Sequence, residues 1–168
     1  DLQDMLVSPA QMDEARAAVP DDLRKSLELA AQRVREFHEA VMPSDWLDET
    51  KGLGELVRPL DRVGPYAPGG TAAYPSTVLM TAVPARVAGV KEIFMVSPPS
   101  YEGGIHPAVL AAARIAGVTR VFRIGGAQAI AALAYGTDSI PSVLKITGPG
   151  NTFVAVAKRL VQGVCDID

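Results

Sequence analysis

Residues 62–90, RVGPYAPGGTAAYPSTVLMTAVPARVAGV, decide the fold: a strand-like lead-in runs into a proline and glycine loop and then into a helix of small residues. Pro65, Pro68, Gly69 and Gly70 are unsuited to the interior of a helix or strand, so they mark a turn. Beyond it, Val78, Leu79, Ala82, Val83 and Val87 recur at helical spacing among Ala, Ser and Thr. That pattern predicts a helix lying close against a sheet. Tyr66 is expected at the rim of the loop.

The same order of strand, loop and helix returns three times downstream. Residues 91–96 are β-rich and end at Ser97-Pro98-Pro99, and an alanine-rich helix is predicted over 106–115, closed by Gly117. Residues 120–124 read as a strand, followed by Gly125-Gly126 and a helix over 128–135. Residues 143–147 repeat the theme, followed by Gly148-Pro149-Gly150-Asn151 and a helix to about Gln162; a further strand begins in 164–168. Four such passages imply a parallel sheet with helices on both faces, since parallel neighbours cannot be joined by a tight hairpin. The expected fold is doubly wound α/β. Right-handed crossovers put the loops at 66–70, 97–104, 125–128 and 148–151 on one edge of the sheet, where ligands bind in such folds.

Upstream, Ser8-Pro9-Ala10-Gln11 reads as a capping serine, a proline at the first helical position and a glutamine completing a capping box. That helix should end near Pro20. A second helix begins about Asp21, with Leu23, Leu27, Ala30, Val34, Phe37 and Val41 in one stripe and Arg24, Lys25, Glu28, Arg35 and Glu39 off it. The stripe has no obvious partner within the chain and is expected to pack on a domain or a second subunit. Pro43 stops the helix, and 55–60 is a possible strand. A boundary near Arg62 divides an N-terminal helical segment, residues 1–62, belonging to a neighbouring domain, from an α/β cofactor-side domain, residues 63–168.

The 168 residues suffice for one sizeable core, or for a domain with an appendage. A net charge of −3 and a pI near 5.4 give no basic surplus for nucleic acid or an anionic membrane. No apolar run reaches the length of a membrane span, and nothing at Asp1 resembles a signal peptide. Cys165, the one cysteine, cannot form an internal disulfide, so a cytoplasmic setting is expected. The start at Asp1 predicts a processed chain or a piece of a longer one.

Chemistry narrows to the loops. Glycine backbone N–H groups near helix starts, at 125–126 and 148–150, suit a phosphate or another anion. Gln128 and Asn151 each donate and accept, as recognition of a ribose hydroxyl, a carboxamide or a purine edge requires. Asn151 reads equally as a plain N-cap. Tyr66 reads either as a platform for a flat ring or as a cover for its loop. Arg123 and Lys145 lie in apolar strands and either face an anion or, more often for such residues, snorkel outwards. The GxGxxG fingerprint is absent, and His38, His106 and Cys165 are too scattered for a zinc site. His106, just before Pro107, reads as a helix-start residue.

These loops carry a resemblance. Residues 62–90, RIGGAQAIAALAYGT at 123–137 and KITGPGNTFVAVAKR at 145–159 resemble three consecutive segments of histidinol dehydrogenase, and the likeness extends over residues 58–168. It implies an incomplete Rossmann-like domain in which NAD is contacted by Tyr66, Gln128 and Asn151. The activity implied is oxidation of L-histidinol via L-histidinal to L-histidine, in histidine biosynthesis, by an intertwined homodimer. A glutamate and histidine pair supplies acid and base in that family, and zinc holds the substrate. The family's substrate, zinc and catalytic residues lie from an AGPSE motif onward, past the last strand seen here. No catalytic or metal residue is therefore expected in this chain, nor turnover by it alone. The alternative is a non-catalytic nucleotide-binding or oligomerisation module of the same fold.

Overall fold

A computed structural model describes residues 5–69, 72–99 and 103–168. The α/β unit runs β4 (Arg62–Pro65), α3 (Pro75–Val87), β5 (Glu92–Ser97), α4 (Pro107–Ala116), β6 (Arg120–Arg123), α5 (Gly126–Tyr135), β7 (Lys145–Thr147), α6 (Thr152–Val161) and β8 (Asp166–Ile167). Ahead of it come β1 (Leu6–Val7), α1 (Pro9–Ala18), α2 (Asp21–Ala40) and an antiparallel hairpin of β2 (Trp46–Asp48) and β3 (Leu53–Glu55). The main sheet has the order β1-β6-β5-β4-β7-β8, parallel throughout except for β1, which pairs antiparallel with β6.

Side-chain alternation along the strands separates two cores. Val63, Ile93, Met95 and Val121 join the apolar faces of α3 and α4 on one side. Phe94, Val96, Phe122 and Ile146 meet α5 and α6 on the other. The central strands β5 and β6 are thus buried on both faces, as a doubly wound sheet requires. At β4 the backbone comes close to α5: a Cβ built on Gly64 would lie 2.9 Å from Leu133 Cδ1.

The strand order reverses at β4. The chain winds outward through β5 and β6 on one side, then crosses back to place β7 and β8 on the other. The crevice between the carboxyl ends of β4 and β7 is therefore the topological switch point, where ligands of such sheets dock.

The N-terminal segment is packed onto this unit. Ser8 Oγ accepts from the Gln11 N–H at 3.2 Å and Gln11 Oε1 accepts from the Ser8 N–H at 2.9 Å, completing the expected capping box. Helix α1 lies on α4, and α2 on α3. The apolar stripe of α2 consequently finds a partner inside the chain, against expectation: Leu27 and Ala31 are buried, with Leu23, Ala30 and Val34 packed beside them. Only its far end, Phe37 and Val41, stays exposed.

Residues 56–60, read as a strand, form none; pairing falls instead on β2 and β3. The reason is the Asp48 carboxylate, which accepts from the Thr50 hydroxyl and from the Thr50 and Lys51 N–H groups and so folds the turn. The Thr50 hydroxyl and Lys51 hold that carboxyl down at about 2.

Candidate functional site

All three predicted contacts stand on the carboxyl edge of the sheet, but not in equal exposure. Tyr66 follows β4 directly, Gln128 lies in the first turn of α5, and Asn151 is the N-cap of α6. Gln128 and Asn151 are exposed. Tyr66, expected at the rim, is only 4% exposed.

The burial of Tyr66 has a physical cause. Its ring belongs to the same apolar cluster as Phe94, Val96 and Phe122, and its hydroxyl accepts from the Gly126 N–H at 3.0 Å. A buried phenol needs such a partner. In this position the Tyr66 side chain covers its loop and pins the start of α5. The Gln128 amide folds back over the same glycine, for a Cβ on Gly126 would lie 2.8 Å from Gln128 Oε1.

The backbone of Tyr66 meets the loop after β7. Its N–H donates to the Thr147 carbonyl at 2.7 Å, and a Cβ on Gly148 would lie 2.3 Å from the Tyr66 carbonyl oxygen. Tyr66 is thus the hub that joins the loop after β7 to the start of α5. Three residues beyond Gly148, Asn151 Oδ1 accepts from the Val154 N–H at 3.1 Å, leaving the amide nitrogen of Asn151 as the donor on offer.

Sequence reasoning missed Lys158 and Asp168. Lys158 Nζ donates to the Gly148 carbonyl and pairs with the Asp168 carboxylate, and the Gly148 N–H donates to the other Asp168 oxygen. A signal was available in α6. Val154, Ala157, Lys158 and Val161 occupy its buried face, and a lysine in that company requires a partner. A cleft of about 540 Å³ opens beside this group, lined by Gly148, Pro149, Gly150, Lys158, Arg159 and Asp168 among others.

The other candidates are engaged elsewhere. Arg123 donates to the Gln11 side chain and the Leu6 carbonyl, tying β1 to the sheet. Lys145 pairs with Asp166 on the neighbouring strand. His106 caps α4, its Nδ1 accepting from the Ala108 N–H at 3.1 Å. Among the described residues no group of three or more His, Cys, Asp and Glu could hold a metal ion. No helix among them is long and apolar enough to cross a membrane.

A solved structure of histidinol dehydrogenase from Elizabethkingia anophelis superposes on 98% of this chain with a TM-score of 0.90 and 37% identity; the match covers 39% of that chain. Curated histidinol dehydrogenases from Dechloromonas aromatica and Neisseria gonorrhoeae are 56% and 53% identical over 99% of this chain. The chain spans about 39% of the length of these relatives. The family model of histidinol dehydrogenase matches residues 1–168. A match of that extent, with the shared fold, establishes that the chain belongs to the histidinol dehydrogenase family.

Proposed function

We propose that the chain is the cofactor-side portion of an NAD-dependent histidinol dehydrogenase, which oxidises L-histidinol via L-histidinal to L-histidine in the cytoplasm. The observation that carries this reading is the strand order. It reverses between β4 and β7, and the family's three cofactor-contacting positions, Tyr66, Gln128 and Asn151, stand on the edge where that reversal opens. NAD, when bound, supplies the hydride acceptor. The protein's own part here is recognition: two exposed amides, Gln128 able to donate and accept and Asn151 offering its amide nitrogen, set in glycine turns at helix starts.

Substrate oxidation also needs acid and base groups within hydrogen-bond reach of the substrate. This reading assigns no such group, and no zinc ligand, to the described residues, and it expects no turnover from them alone. Calorimetric titration of NAD into the chain tests the binding half of the proposal. Gln128→Ala and Asn151→Ala should each weaken binding by about 1 kcal/mol, or several-fold. Affinity unchanged in both variants would remove the two amides from the site.

The homodimer belongs to the same proposal. Two apolar surfaces support it: Phe37, Val41 and Leu47 in the N-terminal segment, and Phe153, Val156 and Leu160 along α6, are all exposed. Surfaces of that kind drive association. Light scattering should therefore give a mass that rises with concentration above that of the single 17.7 kDa chain. A constant monomer mass up to high concentration would count against it.

A further inference from the structure

One ion pair grips the glycine at the mouth of β7 from both sides. The Gly148 N–H donates to Asp168 Oδ2 at 2.7 Å, and the Gly148 carbonyl accepts from Lys158 Nζ at 2.7 Å. Lys158 Nζ closes the ring by pairing with Asp168 Oδ1. Lys158 is 7% exposed. Burying an ammonium costs heavily unless geometry and additional hydrogen bonds compensate it, and both are present here.

The restraint falls on one short turn. Gly148 is pressed against the Tyr66 carbonyl at one end, and Asn151 is fixed at the other by its bond to the Val154 N–H. Because Lys158 sits on the second turn of the helix that Asn151 begins, its reach back to Gly148 ties loop and helix into one piece. Pro149 and Gly150 lie between the two anchors.

We propose that Lys158 and Asp168 are positioning residues that hold the loop at 148–151 in the shape presenting Asn151 to the cofactor. The role rests on the NAD reading above. It adds two side chains that touch the loop and act through Asn151. The charged groups around Asp168 are Lys158 and Arg159 of α6, Lys145 of β7 and Arg58 across the adjoining groove. Burial pushes the Asp168 carboxyl up, but the bonds from Lys158 and Gly148 outweigh it and leave it below the usual carboxylate range. The ring is therefore complete above about pH 4, and is lost as pH falls through the lowered value.

The test is NAD titration of the whole chain, followed by calorimetry and by amide NMR. Lys158→Met should weaken binding about tenfold, the worth of a hydrogen bond to a charged group. Amides of β5 and β6 should stay unshifted while those at 148–151 move. Lys158→Arg, which keeps the charge, should recover part of the affinity, and a purely structural lysine would give no such rescue. In the wild type the Gly148 amide signal should hold still from pH 7 to about 4 and move below it. Should Lys158→Met fail to fold, the isosteric Asp168→Asn is judged by the same measure. Wild-type binding with equal affinity in the folded variants overturns the positioning role and leaves the NAD reading standing. A wild-type chain that binds no NAD overturns both.

Discussion

Phe94→Ala should lower the unfolding free energy by about 4 kcal/mol, the typical cost of emptying a phenylalanine site in a core. Phe94 is 1% exposed and lies on the central strand β5, facing α5. Its ring meets Phe122 edge to face, with centroids 6.3 Å apart and planes at 88°. The Arg120 and Arg62 guanidinium groups stand 5.0 and 5.5 Å from the ring centroid. Truncation therefore opens a cavity and also leaves two cations without their aromatic neighbour, a further loss of order 0.5–1 kcal/mol each. For a chain of this length the melting temperature should fall by roughly 10 °C. Phe94→Leu, which refills most of the volume, should cost far less. Equal losses in the two variants would mean that the ring stacking, and not the filled space, stabilises this side of the sheet.

Gly148→Ala is the second large effect, and a matched control isolates its cause. Gly148 has φ +103° and Gly163 has φ +98°, so alanine at either position meets the same backbone strain, about 1–2 kcal/mol. Around Gly163 a Cβ meets nothing within 4 Å, whereas at Gly148 it would lie 2.3 Å from the Tyr66 carbonyl oxygen. Backbone cannot move aside cheaply. Gly148→Ala should therefore cost roughly 3 kcal/mol or more, while Gly163→Ala should cost the strain alone. Denaturant unfolding of the two variants gives the difference directly. If they unfold at the same midpoint, the contact between the β7 loop and Tyr66 contributes nothing.

Local chemistry made much of this fold legible. The capping box at Ser8 and Gln11 needs only four consecutive residues, and the four β-then-α passages were marked by a change of period at glycine loops. What the chain order could not carry was which strands lie side by side. No short-range signal says that β7 inserts next to β4, and the switch point depends on that pairing. Tyr66 shows the same limit. Its loop reads as a rim, but α5 returns over the sheet 60 residues later and its Gly126 N–H draws the hydroxyl inside. The stripe on α2 was visible as apolar, yet its partner, α3, could be known only once the helices were stacked. Lys158 was readable in principle, as a cation on the apolar side of α6; its partner at Asp168 was not, because the two meet only once β8 is paired beside β7.

Two glycines of the carboxyl edge close on one proline. Cβ atoms built on Gly69 and Gly125 would lie 2.7 Å from the Pro98 carbonyl oxygen and 2.4 Å from Pro98 Cβ, so the ends of β4, β5 and β6 interlock around that single pyrrolidine. If this edge docks a cofactor as proposed, the strand ends around Pro98 are already held together before it arrives. Little conformational entropy is forfeited on association, and the enthalpy of each polar contact is spent on affinity instead of on ordering the turns.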